Sequence, residues 1–155
     1  MSTYNATVRW NCRESREGFA KGQYSRAHEW SFDGGTIVPA SASPHIVPAP
    51  WSNAAAVDPE EAFVAALSSC HMLFFLDFAR RAGFVVENYV DEAEGIMEER
   101  PDGNMAMTSV TLWPHVTWAG DRPDEAAIAD LHHRAHDACF IANSVTTEID
   151  IESSS

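Results

Sequence analysis

The sequence predicts an α+β domain with an antiparallel sheet and helices packed on one side. Three observations predict it: apolar residues alternating through the first third, two helical runs that each carry a cysteine, and further alternation between and after those runs. The expected order is strands, helix, strands, helix, strand. With 155 residues the chain is long enough for one domain with its own core. We read 1–155 as that domain: 1–57 holds N-terminal strands and a loop, 58–83 the first cysteine helix, and 90–152 strands, the second cysteine helix and a closing strand.

Tyr4, Ala6, Val8 and Trp10 alternate with polar or small residues, the pattern of a half-buried strand. A second strand runs through Tyr24–His28 and on through Trp30 and Phe32. Asp33-Gly34-Gly35 supplies its hairpin turn, because glycine permits positive φ. Pro39 to Pro50 is rich in Pro, Ala and Ser and reads as a surface loop. Asp58-Pro59-Glu60-Glu61 then sets an N-cap, a proline at the first helical position and a glutamate at the third, a capping box. The helix runs to Arg80 or Arg81 and stops near Gly83. Phe63, Leu67, Cys70, Phe74 and Phe78 share one face, and Val64, Phe75 and Leu76 make other faces apolar, so burial on most sides is expected, in a core or a dimer interface.

Val90–Glu98 and Met105–Trp118 read as two strands joined through the turn Arg100-Pro101-Asp102-Gly103-Asn104. Asp124 to about Asp137 is the second helix, with Ile128, Leu131 and Ala135 inward, and Thr146–Ile151 is the closing strand. Ser153-Ser154-Ser155 forms a low-complexity tail.

Hydrophobic residues make up 45% of the chain and charged ones 21%, a globular balance. The net charge of −13, with ten scattered Lys and Arg, argues against nucleic acid or an anionic membrane surface as partner. Three cysteines do not make a disulfide scaffold. Met1-Ser2-Thr3-Tyr4-Asn5 lacks a signal pattern, and the longest apolar run is broken by Asp77, which argues against a membrane span. A reducing, cytoplasmic setting is expected.

Cys70 sits within the apolar run 63–76. It serves either as a small buried hydrophobe or as a reactive thiol. Burial raises a thiol pKa, so a reactive Cys70 needs a cation or hydrogen-bond donor nearby. His71 projects about 100° away around the helix. Arg26 is one candidate cation, while Arg80 and Arg81 lie at the far helix end. Cys139 precedes Phe140-Ile141-Ala142-Asn143-Ser144, where a short helical turn would point backbone N–H groups at its sulfur. His132, His136 and Cys139 are spaced i, i+4, i+7, a possible zinc ridge with Cys70 or Asp77 as a fourth ligand. Cys12 reads as incidental. There is no G-x-S-x-G elbow and no glycine-rich phosphate loop.

The stretch from Asp58 through Cys70 to His71, with Pro-Glu, small and apolar residues, then Ser-Cys ten residues after Glu60, resembles the first cysteine helix of the OsmC/Ohr family, the osmotically inducible and organic hydroperoxide resistance proteins. Ala135-His136-Asp137-Ala138-Cys139-Phe140-Ile141-Ala142-Asn143-Ser144 resembles the family's second cysteine segment, and the strand Val90 to Ile96, with Glu94-Gly95, also fits. The similarity extends from about Tyr24 to Glu152, in a divergent member: Phe140 stands where a proline is usual and His71 where an apolar or aromatic residue is usual.

This resemblance implies an OsmC-like fold with two central cysteine helices in an intertwined homodimer, its active sites at the subunit interface. It implies reduction of organic hydroperoxides without metal or cofactor, Cys70 being the peroxidatic thiolate and Cys139 resolving its sulfenic acid to a disulfide. A dithiol of lipoyl or thioredoxin type would regenerate the thiols. Glu60 matches the acidic residue that pairs with the activating arginine, for which Arg26 is the candidate. Glu60 and Cys70 are about 15 Å apart along one helix, so such an arginine must bridge them or the glutamate must come from the partner subunit. An apolar wall of Phe63, Leu67, Phe74 and Phe78 would suit a greasy peroxide. The alternative is a non-catalytic dimer that binds an apolar small ligand or a metal in the interface cleft.

Overall fold

A computed structural model describes residues 1–152; the Ser153–Ser155 tail lies outside them. The chain divides into two compact units, Met1–Ala62 and a second that starts at Phe63.

The first unit is a three-stranded antiparallel sheet, β1 (Ala6–Arg9), β2 (His28–Phe32) and β3 (Ile37–Ala40), in that order. The expected hairpin forms: Gly35 takes φ 84°, its N–H donates to Phe32 at 3.0 Å, and Ser31 faces Ile37. All four residues of β1 are exposed, so its alternation buries no face here. The strand expected from Tyr24 begins only at His28. Before it lies a short helix the alternation concealed, α1 (Arg16–Ala20), whose cap Ser15 accepts the Gly18 N–H at 3.0 Å.

The helix α2 (Pro59–Arg81) starts at the expected capping box. Asp58 Oδ1 accepts from Glu61 N at 2.8 Å, and Glu61 Oε2 accepts from Asp58 N at 3.2 Å. Gly83, with φ 86°, ends it, and Phe84 N–H returns to Ala79 at 3.0 Å. The buried ridge differs from the expected face. Leu67, His71, Phe75 and Ala79 are buried, while Cys70 and Phe74 are half-buried and Leu73 is open. A helix apolar all round offers no unique seam, and packing selects the 67/71/75/79 row. By length and composition α2 could also cross a membrane, with mean hydropathy 1.7. Only 22% of that stretch is buried, short of the all-round burial expected.

The two long strands predicted after α2 are four. β4 (Val86–Asp91) pairs with β7 (Pro114–Trp118), and β5 (Glu94–Glu99) pairs with β6 (Met105–Leu112), all antiparallel. The break has a cause: Asp91 Oδ1 accepts the Trp113 N–H at 2.7 Å, and Pro114, lacking a donor, opens the next strand. The turn between β5 and β6 forms as expected, with Gly103 N–H donating to Arg100 at 2.8 Å. The closing strand β8 (Glu148–Ile151) runs parallel to β6, unlike the other strand pairs among the described residues.

α3 (Glu125–Ala138) is capped by Asp124, which accepts from Ala127 N at 2.8 Å. Two apolar clusters hold the second unit. Leu67 packs with Val110 and Leu112 over β5-β6-β8, alongside Phe63, Val64 and Ile149. Phe75 and Ala79 pack with Leu131 and Ala135 of α3, beside Tyr89, Val116 and Trp118 of the β4-β7 pair. Each fully buried Leu or Phe contributes roughly 1.5–3 kcal/mol. Gly95 permits the first contact: a Cβ there would lie 2.6 Å from Val64 Cγ2 and also strike Met107 Cε.

Candidate redox site

The second unit brings the two sequence-distant cysteines together. Cys70 is half-buried on α2; Cys139, 1% exposed, ends α3. The thiols are neighbours, close enough for Cys70 to help raise the Cys139 pKa. The short turn expected after Cys139 exists as a 3-10 helix (Ala142–Ser144), and it sends the Ala142 N–H toward Cys139 Sγ at 3.4 Å. Burial, first of all, pushes the Cys139 thiol up to about 11; the neighbouring Cys70 acts the same way, and the N–H groups of Ala142 and Ile141 oppose them. Cys139 therefore holds its proton at neutral pH.

Aromatic side chains flank the pair. Phe140 is 69% exposed and meets Phe74 edge-on, with centroids 4.9 Å apart. Phe78 lies 6.2 Å from Phe74 and carries the Arg134 guanidinium over its ring at 4.5 Å. The expected apolar wall is thus divided. Phe63 and Leu67 belong to the cluster over β6, and Phe74 and Phe78 remain beside the thiols and α3.

Directly beside Cys70, His71 turns inward. Its Nε2 lies 3.0 Å from His132 Nδ1 on α3, the rings are parallel within 6°, and His132 also stacks on Phe75 at 4.3 Å. Burial holds both rings down at about 4, so both are neutral at pH 7; for His71 the charge of His136 adds to the effect and Asp91 opposes it. Among the described residues the outer nitrogens, His71 Nδ1 and His132 Nε2, have no hydrogen-bond partner. Each such buried orphan costs about 1–3 kcal/mol. One turn earlier, Ser68 Oγ donates to Asp91 Oδ2 at 2.5 Å. Sequence reading placed neither Asp91 nor the His71 pairing. A serine inside an apolar helix and a histidine at a usually apolar position were the available signals.

The zinc ridge does not assemble. His132 faces His71, Asp77 is held by Arg80 at 2.8 Å and Arg81 at 2.7 Å, and the described residues contain no group of three or more potential metal ligands.

Cys12 is exposed, its sulfur 3.7 Å from the Glu14 carbonyl. Arg26 donates to the carbonyls of Gly22 at 2.8 Å and Tyr24 at 2.5 Å, and its guanidinium covers the Tyr24 ring at 3.6 Å. Glu60 is half-buried at the start of α2. Among the described residues no ion pair joins Arg26 to Glu60, because carbonyls of its own turn already hold the arginine. In the second unit the five arginines, 80, 81, 100, 122 and 134, each pair with a carboxylate nearby in sequence: Asp77 for the first two, then Asp102, Glu125 and Asp130.

The model of the OsmC-like protein family matches residues 52–154, which takes in both cysteine segments. The chain belongs to the OsmC-like family. It is similar in structure to an OsmC-like protein of unknown function from Vibrio cholerae, at 51% identity and TM-score 0.95, over 99% of this chain and 100% of that one. An organic hydroperoxide resistance protein from Elizabethkingia anophelis shares the fold at 17% identity and TM-score 0.71, over 99% of this chain and 94% of its own. Another from Bacillus subtilis does so at 17% and 0.68, over 97% and 98%. No protein of curated function matches the chain.

Proposed function

We propose that this OsmC-like protein is a thiol-dependent peroxidase that reduces organic hydroperoxides through Cys70 and Cys139. The observation that carries the reading is the neighbouring thiol pair, one half-open and one sealed with its proton. The Cys70 thiolate attacks the distal peroxide oxygen, the O–O bond breaks, and the alkoxide takes a proton to leave as an alcohol, giving Cys70 sulfenic acid. The Cys139 sulfur then attacks Cys70; its proton departs with the sulfenic hydroxyl as water, and the disulfide forms. An external dithiol, of lipoyl or thioredoxin type, returns two electrons and two protons. Phe74, Phe78 and the open Phe140 favour an alkyl or aryl peroxide over hydrogen peroxide, since they present apolar surface for it to cover.

A second copy of the chain completes this reading. Every arginine after Phe63 already faces a carboxylate, so a cation that activates Cys70 is to be sought in Arg26 with Glu60, or in the other subunit. The uncovered faces of α2 suit burial in a homodimer. Free thiols favour a reducing, cytoplasmic setting.

Cumene hydroperoxide consumption coupled to dihydrolipoamide tests the proposal. Cys70→Ser loses turnover. Cys139→Ser completes one turnover and accumulates a sulfenic acid that dimedone traps. Undiminished turnover in Cys70→Ser overturns the reading.

A further inference from the structure

The His71–His132 pair is an expensive way to fill a core. Both side chains are buried, at 1% and 4% exposure, and among the described residues both outer nitrogens go without partners. An apolar pair of similar volume would remove both orphans and restore ordinary packing against Phe75, so stability alone does not account for two imidazoles here.

Their attachment points do. His71 is the residue after Cys70 on α2, and His132 stands two turns ahead of Cys139 on α3. Their bond at 3.0 Å ties together the two helices that carry the thiols. The surrounding contacts are apolar and undirected: Phe75 and Ala79 against Leu131 and Ala135. A hydrogen bond is directional, needing its donor near 3 Å and aligned, so it selects one register where apolar packing tolerates several. The ionisable groups acting on the pair from neighbouring elements are Asp91 of β4 and His136 of α3.

We propose that the His71–His132 hydrogen bond positions α2 against α3 and so sets the effective concentration at which Cys70 meets Cys139. The two histidines are positioning residues. They act through helix register and take no proton from substrate. The inference rests on the reading of Cys70 and Cys139 as a redox pair.

The test needs no peroxide. The reduced protein is equilibrated with oxidised and reduced dithiothreitol. Forming the Cys70–Cys139 bond passes two electrons and two protons to the cyclic disulfide, which opens to the dithiol, and the equilibrium constant reports the effective concentration of the thiols. Replacing both histidines by leucine keeps the volume and removes the bond; the constant falls about tenfold, the change that the net worth of one hydrogen bond supports, while circular dichroism and thermal stability hold or improve. If the leucine variant does not fold, the amide variants decide. His71→Gln places an amide near the former Nε2 and His132→Asn one near the former Nδ1, so the double substitution can remake the bond. It recovers the constant that His71→Leu alone loses. Folded leucine variants with the wild-type constant, or no recovery in the amide pair, overturn the positioning role and leave the peroxidase reading intact. A wild-type chain that forms no Cys70–Cys139 disulfide sinks both.

Discussion

Cys70 lies half-buried in the middle of a 23-residue helix, whereas Cys139, at 1% exposure, closes a 14-residue one. Among the described residues every arginine of its unit is paired with a carboxylate, and Cys70 is half-buried, with Leu73 exposed nearby on the same helix. Cys139 is enclosed by its own turn, receives the Ala142 N–H, and keeps its proton because burial penalises the thiolate. Two neighbouring sulfurs thus fit the different steps proposed for them, one to meet substrate and one to wait for an intermediate. The difference teaches that exposure and hydrogen bonding assign roles that cysteine count and spacing leave open.

The sharpest way to break this comparison is to exchange serine for each sulfur in turn. Cys70→Ser should lower steady-state hydroperoxide consumption at least about a thousandfold, the scale of losing a nucleophile. Cys139→Ser should leave the first-turnover rate within roughly twofold, because the O–O cleavage step does not involve it. Stopped-flow kinetics checks both; equal losses in the first turnover would erase the distinction.

The seam that seats the two thiols comes next. Phe75→Ala removes a fully buried ring shared by Leu131, Tyr89 and His132, and should cost about 3–5 kcal/mol in urea unfolding. Phe140→Ala, at a position 69% exposed, should leave unfolding within roughly 0.5 kcal/mol yet raise KM several-fold for cumene hydroperoxide and not for hydrogen peroxide. A large stability loss at Phe140 would mean that it belongs to the core and not to the substrate path.

Acid sharpens the comparison further, since a neutral His71–His132 pair lies beside the thiols. Both rings are held down from 6.5 to about 4 in the fold, with burial the largest cause. Below pH 6.5 the unfolded chain therefore binds protons that the folded one refuses. The stability contribution is fully present above 6.5 and is lost as pH falls toward 4. Urea midpoints across that window should decline in the wild type and much less in a double leucine variant. Identical slopes would show that these rings titrate normally.

The smallest expected effect is at Gly95→Ala, about 1–2 kcal/mol of destabilisation, because Val64 is stiff where Met107 can yield. It shifts α2 on β5 and β6, and a calorimetric Tm equal to wild type would place that slack elsewhere.

Much of this was legible in the chain. The cap at Asp58, the stops at Gly83 and Gly103, and the cysteine segments are local signals, set by neighbours within a few residues. What stayed hidden depends on distant partners. His71 meets His132 across 61 positions, and Asp91 reaches Ser68 across 23, so no window of sequence contains either pair. The strand break at Trp113 depends on that same Asp91. The buried row of α2 was misplaced by one position in the heptad because Phe63, Leu67, Phe74, Phe75 and Phe78 are equally apolar, and periodicity selects a face only where polar residues mark the opposite one. Arg26 looked available in the sequence; the carbonyls of Gly22 and Tyr24 that hold it became visible only once that turn was folded.

Turnover of the proposed kind requires Cys70 and Cys139 to join when peroxide arrives. Reduced protein should be mixed with one equivalent of cumene hydroperoxide, quenched with an alkylating agent and digested without reductant for mass spectrometry. The account predicts a single linked peptide pair containing Cys70 and Cys139, with Cys12 alkylated. Recovery of Cys70 and Cys139 as separate alkylated thiols, at any time before the peroxide is exhausted and after, would contradict it.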